Sequence, residues 1–142
     1  MKVLVIDDEK EILRSLQTYL SLRDYEVITA ETACEGRELY SEEDVKLVLL
    51  DINMPDESGL VLLRELKNLD HTTEVIMITG YNSLNKTLEA RELGATEYLL
   101  KPFSDMDEVG EVVDQAAKRI QRWQDALEDG LREKRRDREE SR

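Results

Sequence analysis

Asp51 closes an unbroken apolar run, Leu47-Val48-Leu49-Leu50, and is followed by Ile52-Asn53-Met54-Pro55. A carboxylate there can act as a nucleophile or as a metal ligand, although an acid that merely caps a turn looks the same locally. Four further polar residues bear on the choice, because each also follows a short apolar run. Asp7 and Asp8 follow Val3-Leu4-Val5-Ile6, Thr79 follows Val75-Ile76-Met77-Ile78, and Lys101 follows Tyr98-Leu99-Leu100. If these runs are parallel strands, their carboxyl ends share one sheet edge, where open α/β folds carry their ligand crevice. Three carboxylates, a hydroxyl and an ammonium would then meet. Three carboxylates at close quarters repel unless a cation joins them. A hard, oxygen-seeking divalent ion, Mg2+ or Mn2+, meets that need with carboxylates, a backbone carbonyl and water. Thr79 and Lys101 would face an incoming anion. Such a set around a carboxylate nucleophile is what phosphoryl transfer to an aspartate requires. Each residue alone has a plainer explanation: helix-start acids for Asp7-Asp8-Glu9, a strand residue for Thr79, a loop lysine before Pro102 for Lys101. All of these would have to hold at once, at four strand ends.

The elements that must position this set alternate along the chain. Val3–Ile6, Glu26–Thr29, Val45–Leu50, Glu74–Thr79 and Glu97–Leu100 read as strands, short and apolar as in a sheet buried on both faces. Glu26–Thr29 is only half apolar, as at a sheet edge. Between them lie helical patterns. The first carries Ile12, Leu13, Leu16, Tyr19 and Leu20 on one face. Thr32–Tyr40 is expected to be capped by Thr32, with Glu35 three residues on. Leu60–Leu66 follows the turn residues Asp56-Glu57-Ser58-Gly59, and Leu84–Leu93 stops at Gly94, a left-handed cap. From Asp105 onward the pattern is helical. Five strands alternating with helices predict an α/β fold with a parallel sheet covered on both faces.

Composition bounds the function. The chain has 142 residues and a net charge of -13, which argues against a nucleic-acid surface. One cysteine, Cys34, excludes an internal disulfide framework, fits a reducing compartment and reads as a half-buried small residue. His71, the sole histidine, sits in a polar loop and reads as surface. The N-terminal apolar run is too short for a signal peptide, and no segment is long and apolar enough for a membrane span. The expectation is a cytoplasmic protein with no membrane and no nucleic-acid contact.

In order and spacing, Asp7-Asp8, Leu50-Asp51-Ile52-Asn53-Met54-Pro55 with Asp56 and Gly59, Thr79-Gly80, and Tyr98-Leu99-Leu100-Lys101-Pro102-Phe103 make the chain resemble the receiver domain of two-component response regulators, from about Met1 to Ala117. The resemblance implies a flavodoxin-like, doubly wound five-stranded sheet of order 2-1-3-4-5. It implies Asp51 as phosphoacceptor, supplied by a sensor histidine kinase or phosphotransfer protein, and a signalling acceptor rather than an enzyme in the ordinary sense. Asp8 and Asp51 would be metal ligands, with Asn53 giving a backbone carbonyl and Asp7 acting through water. Thr79 and Lys101 would bind the phosphoryl oxygens, Thr79 and Tyr98 would be the switch pair, and Lys101-Pro102 would be cis. Aspartate-nucleophile phosphohydrolases carry a second acid two residues after the nucleophile, where this chain has Asn53. A dinucleotide binder needs a glycine-rich loop after the first strand, and Asp7-Asp8-Glu9-Lys10 is not one. A docking module that has given up phosphorylation usually lacks some of these residues, and all are present.

Beyond the receiver lies a heptad-spaced stripe: Met106, Val109, Val113, Ala116, Ile120, Trp123 and Leu127. Its first half should pack on the sheet, widened by Val112 and Ala117. Ile120, Trp123, Leu127 and Leu131 are expected to be exposed unless paired, which suggests a homodimer through the last helix, weakened at Gly130. Residues 1–119 are expected to form the receiver and 120–142 a helical extension. Residues 128–142 hold six acids and six bases, so this end reads as solvated. A charged helix in this position resembles a linker to an output module.

Overall fold

A computed structural model describes residues 1–80 and 83–141, and the backbone alone at Leu84. Tyr81, Asn82 and Arg142 lie outside the described residues. The elements are β1 (Lys2–Ile6), α1 (Lys10–Leu22), β2 (Glu26–Ala30), α2 (Ala33–Glu42), β3 (Leu47–Asp51), α3 (Gly59–Leu69), β4 (Glu74–Thr79), α4 (Leu84–Glu92), β5 (Glu97–Leu100) and α5 (Met106–Glu140). All pairings in the sheet are parallel, in the order β2-β1-β3-β4-β5. The alternation predicted a parallel sheet covered on both faces, and the order is the flavodoxin-like, doubly wound one that the receiver resemblance implied.

The strand period explains the two cores. Successive residues of a strand point to opposite faces. Val3, Val5, Leu47, Leu49, Ile76 and Ile78 therefore pack with α1 and α5, against Leu16, Leu20, Val109 and Val113. Leu4, Ile6, Val48, Leu50, Val75 and Met77 face the other way and pack with Leu62, Leu63 and Leu66 of α3. Between their polar ends the interior strands β1, β3 and β4 are thus unbroken apolar runs, whereas edge strand β2 is largely half-buried.

The start of α2 and the C-terminal end of α4 follow local chemistry. Thr32 caps α2, its side chain accepting from the Glu35 amide at 3.1 Å. The return bond from Glu35 goes to the Glu31 amide, 3.2 Å away, one residue upstream of the usual capping-box partner. Past α4, Gly94 has φ +104°, a left-handed conformation that glycine adopts without steric cost. The Lys101-Pro102 peptide is cis.

Two burial expectations are corrected. Cys34 is exposed, because it lies on the outward side of α2 while Ala33 and Gly36 face the sheet. Ile120 is 5% exposed, because it still reaches the α1/α5 core. The exposed stripe therefore begins at Trp123 and continues through Leu127 and Leu131. His71 is exposed, as expected.

The long helix is fastened at its root by polar contacts. Tyr19 donates to Asp107 at 3.0 Å, Arg23 donates to Tyr19 at 3.2 Å and pairs with Asp114, and Tyr25 donates to Asp114 at 2.6 Å. Arg119 pairs with Glu74 at 2.7 Å. A 35-residue helix is about 50 Å long, and every described residue after Ile120 is exposed. Among the described residues, no helix is long and apolar enough to cross a membrane.

Candidate functional site

The strand ends bring Asp7, Asp8, Asp51 and Lys101 together. Asp7, Asp8 and Asp51 each offer a carboxylate oxygen within 4.8 Å of the others. Asp7 and Asp51 are buried and Asp8 is exposed. Lys101 enters from the end of β5, its Nζ 2.7 Å from Asp7 Oδ2, 3.3 Å from Asp51 Oδ2 and 3.6 Å from Glu9 Oε2. Lys101 is the only cation of the described residues paired with these acids. Asp7 Oδ2 is buried and ion-paired with Lys101. Three carboxylates crowd around that one ammonium, so the cluster is short of positive charge, a condition that a hard divalent cation suits.

The electrostatics carry the mark of this crowding. Burial, then the charge of Asp7, pushes the Asp51 carboxyl up to about 6, against the pull of Lys101 and the Asn53 amide. Burial likewise raises Asp7, outweighing its bonds to Lys101 and the Glu9 amide. Burial alone would lower Lys101, but its bond to Asp7 and the charges of Asp51, Asp7 and Glu9 raise it.

The backbone after β3 presents Asp51. The Ile52 amide donates to the Ile78 carbonyl, prolonging the sheet by one rung, and the Asn53 amide donates to Asp51 Oδ1 at 3.1 Å. The loop closes where Asn53 pairs with Ser58 and the Gly59 amide donates to Ile52 O at 2.7 Å. A Cβ on Gly59 would stand 2.1 Å from the Asp51 carbonyl oxygen, so only glycine fits. Asp56, at the loop tip, accepts from the amides of Ala33 and Cys34, both at 3.0 Å. Those amide bonds, the Ala33 one first, hold Asp56 below its ordinary carboxylate range. Arg37 of α2 pairs with the neighbouring Glu57 and with Glu65.

Thr79 ends β4 fully buried, its hydroxyl donating to the Gly80 carbonyl at 3.3 Å. Tyr98 pairs in register with Met77 and Leu100 with Thr79, so Tyr98 and Thr79 are on the same sheet face. Tyr98 does not join the buried cluster; it is 48% exposed. Beside it, between α4 and β5, lies an opening of about 360 Å³ bordered by Thr87, Leu88 and Ala90.

Sequence reasoning missed Ser83, Lys86 and the role of Asp56. Asn53 donates through Nδ2 to Ser83 Oγ at 2.6 Å, and Lys86 donates to Asn53 Oδ1 at 3.4 Å. These contacts join residues 22 to 33 positions apart, and no local pattern signals them.

A family model for the response regulator receiver domain matches residues 3–114. Regulatory protein AtoC of Escherichia coli is 33% identical over 115 residues, which are 81% of this chain and 25% of AtoC. Transcriptional regulatory protein KdpE of Mycobacterium tuberculosis is 40% identical over 106 residues, 75% of this chain and 46% of KdpE. The crystal structure of a response regulator receiver domain protein from Clostridium thermocellum matches with a TM-score of 0.76 and 34% identity, covering 87% of this chain and 96% of that one. The chain spans between 25% and 48% of the length of these and similar curated relatives.

Proposed function

Because the chain belongs to the response regulator receiver domain family of two-component systems, we propose that Asp51 accepts a phosphoryl group from a phosphohistidine on a sensor histidine kinase or phosphotransfer protein. The observation that carries this is the buried Asp51 carboxylate beside Asp7 and Asp8, with the Lys101 ammonium paired to Asp7 and Asp51. An Asp51 carboxylate oxygen bonds to phosphorus as the phosphorus–nitrogen bond breaks, and the imidazole nitrogen keeps the electron pair. The product is an acyl phosphate. The chain is consumed as acceptor once per transfer and is not an enzyme acting on a separate substrate.

Asp8, Asp51 and the Asn53 carbonyl would hold Mg2+ or Mn2+, with Asp7 acting through water. When bound, the ion supplies the positive charge that offsets the carboxylates and the phosphoryl oxygens. Lys101 leaves its resting pairing with Asp51 and turns to a phosphoryl oxygen, a charge-assisted bond. Thr79 has only a 3.3 Å bond to Gly80 to give up before donating to the same group. Moving its hydroxyl opens space on the sheet face it shares with Tyr98, and the Tyr98 ring turns inward. The output surface is then α4, β5 and α5. We assign residues 1–119 to the receiver and 120–142 to a helical extension. The exposed Trp123 and Leu127 support a homodimer through the last helix. The next heptad positions, Gly130 and Lys134, confine apolar pairing to a short stretch.

The test is incubation with Mg2+ and acetyl phosphate, read by intact mass. A gain of one phosphoryl group is expected, abolished in Asp51→Asn. Equal incorporation by Asp51→Asn overturns the assignment.

A further inference from the structure

We infer that Lys86 is a second cation of the acceptor site, held at its mouth by a chain of hydrogen bonds from Ser83 through Asn53; this rests on the reading of Asp51 as the acceptor. The starting observation is a local rule broken. Ser83 stands at the N-cap of α4, yet its side chain makes no cap bond. Serine is favoured at that position because its oxygen can accept from an orphan amide of the first turn. Here Ser83 is 2% exposed, and its Oγ accepts instead from Asn53 Nδ2 at 2.6 Å. A helix end left uncapped while its capping residue is used elsewhere is the kind of local conflict that functional sites keep.

The amide of Asn53 transmits this bond. With Nδ2 on Ser83, Oδ1 faces Lys86 Nζ at 3.4 Å. The reverse orientation would aim an N–H at an ammonium, which offers only donors. Ser83 and Lys86 thus agree on one amide orientation, and the backbone of the same Asn53 donates to Asp51 Oδ1 at 3.1 Å. Lys86 is therefore held by the residue two positions after the acceptor, whose own amide bonds the acceptor carboxylate. It comes from the β4 side of Asp51, whereas Asp8 and Glu9 follow β1 on the other side. An anionic phosphodonor arriving at this edge meets those exposed carboxylates, and Lys101 is already shared among Asp7, Asp51 and Glu9. The neutral Asn53 carbonyl is a weak partner for an ammonium, and phosphoryl oxygens are better ones. Lys86 exchanges the first for the second when the donor binds.

The experiment measures the rate of Asp51 phosphorylation by acetyl phosphate at fixed Mg2+, in low salt and in about 1 M salt. In this step an Asp51 oxygen bonds to phosphorus, the bond from phosphorus to the acetyl oxygen breaks, and acetate leaves with the electron pair. A unit charge close to an anion in high-dielectric surroundings predicts that Lys86→Gln is about fivefold slower than wild type at low salt. The deficit closes at high salt, where exposed charges are screened. Lys86→Arg keeps most of the rate, Ser83→Ala loses part of it by freeing the Asn53 amide, and Lys118→Gln, the same charge change on the outside of α5, matches wild type. Equal low-salt rates for Lys86→Gln and wild type overturn the inference. So does a deficit that Lys118→Gln shares or that salt leaves unchanged. A wild type that gains no phosphoryl group overturns both this inference and the acceptor reading.

Discussion

Asp51→Asn should stabilise the metal-free protein, by an amount that depends on pH. Burial and Asp7 push the Asp51 carboxyl from 3.8 to about 6. A raised carboxyl binds its proton more tightly folded than unfolded, so the folded state gains stability as pH falls from about 6 towards 3.8 and loses it as pH rises. At about 1.4 kcal/mol per pH unit, the carboxylate costs about 3 kcal/mol above pH 6 and almost nothing at pH 4. Asparagine removes the charge, keeps an oxygen for the Asn53 amide and gives up the 3.3 Å bond to Lys101. The assay is urea unfolding followed by circular dichroism, in chelator, from pH 4 to pH 8. The stability difference, variant minus wild type, should grow by about 3 kcal/mol across that range, equivalent to roughly 10 °C in melting temperature at pH 8. Millimolar Mg2+ at pH 8 should narrow the gap by stabilising wild type through mass action, and Asp8→Ala should remove most of that gain. A difference that does not vary with pH would mean that Asp51 titrates as an ordinary carboxyl and that the crowding argument is wrong.

Gly59→Ala should destabilise by roughly 3 kcal/mol or more, because the added Cβ meets the Asp51 backbone at 2.1 Å; denaturant midpoints will show it, and a loss under about 1 kcal/mol would contradict the packing. Asp70 is held near 2: burial alone would raise it, but bonds from Lys46 and Thr72 outweigh that. Its stabilising contribution, about 1 kcal/mol after solvent screening, is present above pH 4 and lost between about pH 4 and 2. The stability gap between wild type and Asp70→Asn should therefore vanish over that range in acid titrations. Beryllofluoride, a stand-in for the phosphoryl group, should shift dimer affinity in analytical ultracentrifugation and alter Trp123 emission; no change in either with Asp51 occupied refutes the route through Tyr98 and α5.

The sequence by itself determined the sheet and its helices. The rules that fix them act over two to four residues: doubly buried strands read as unbroken apolar runs, and helices repeat their apolar face every three or four positions. Strand ends then followed, and with them the shared edge of Asp7, Asp8, Asp51, Thr79 and Lys101. Motif order carried the family. Only the tertiary structure decided how these residues are used at rest. Lys101 reaches along the sheet edge from β5 and divides itself among Asp7, Glu9 and Asp51. Tyr98 stands outward and Cys34 is exposed because burial depends on what the neighbouring element covers, not on residue type. Ile120 stays inside because it still reaches the core that α1 and α5 share with the sheet. Asp56 caps a helix 23 residues before it, and Ser83 leaves its own helix uncapped to hold Asn53. Neither has a local signature, since each bond joins segments brought together only by the stacking of strands and helices. A short-range pattern records which face a side chain presents; the partner it finds there is set by packing across the sheet.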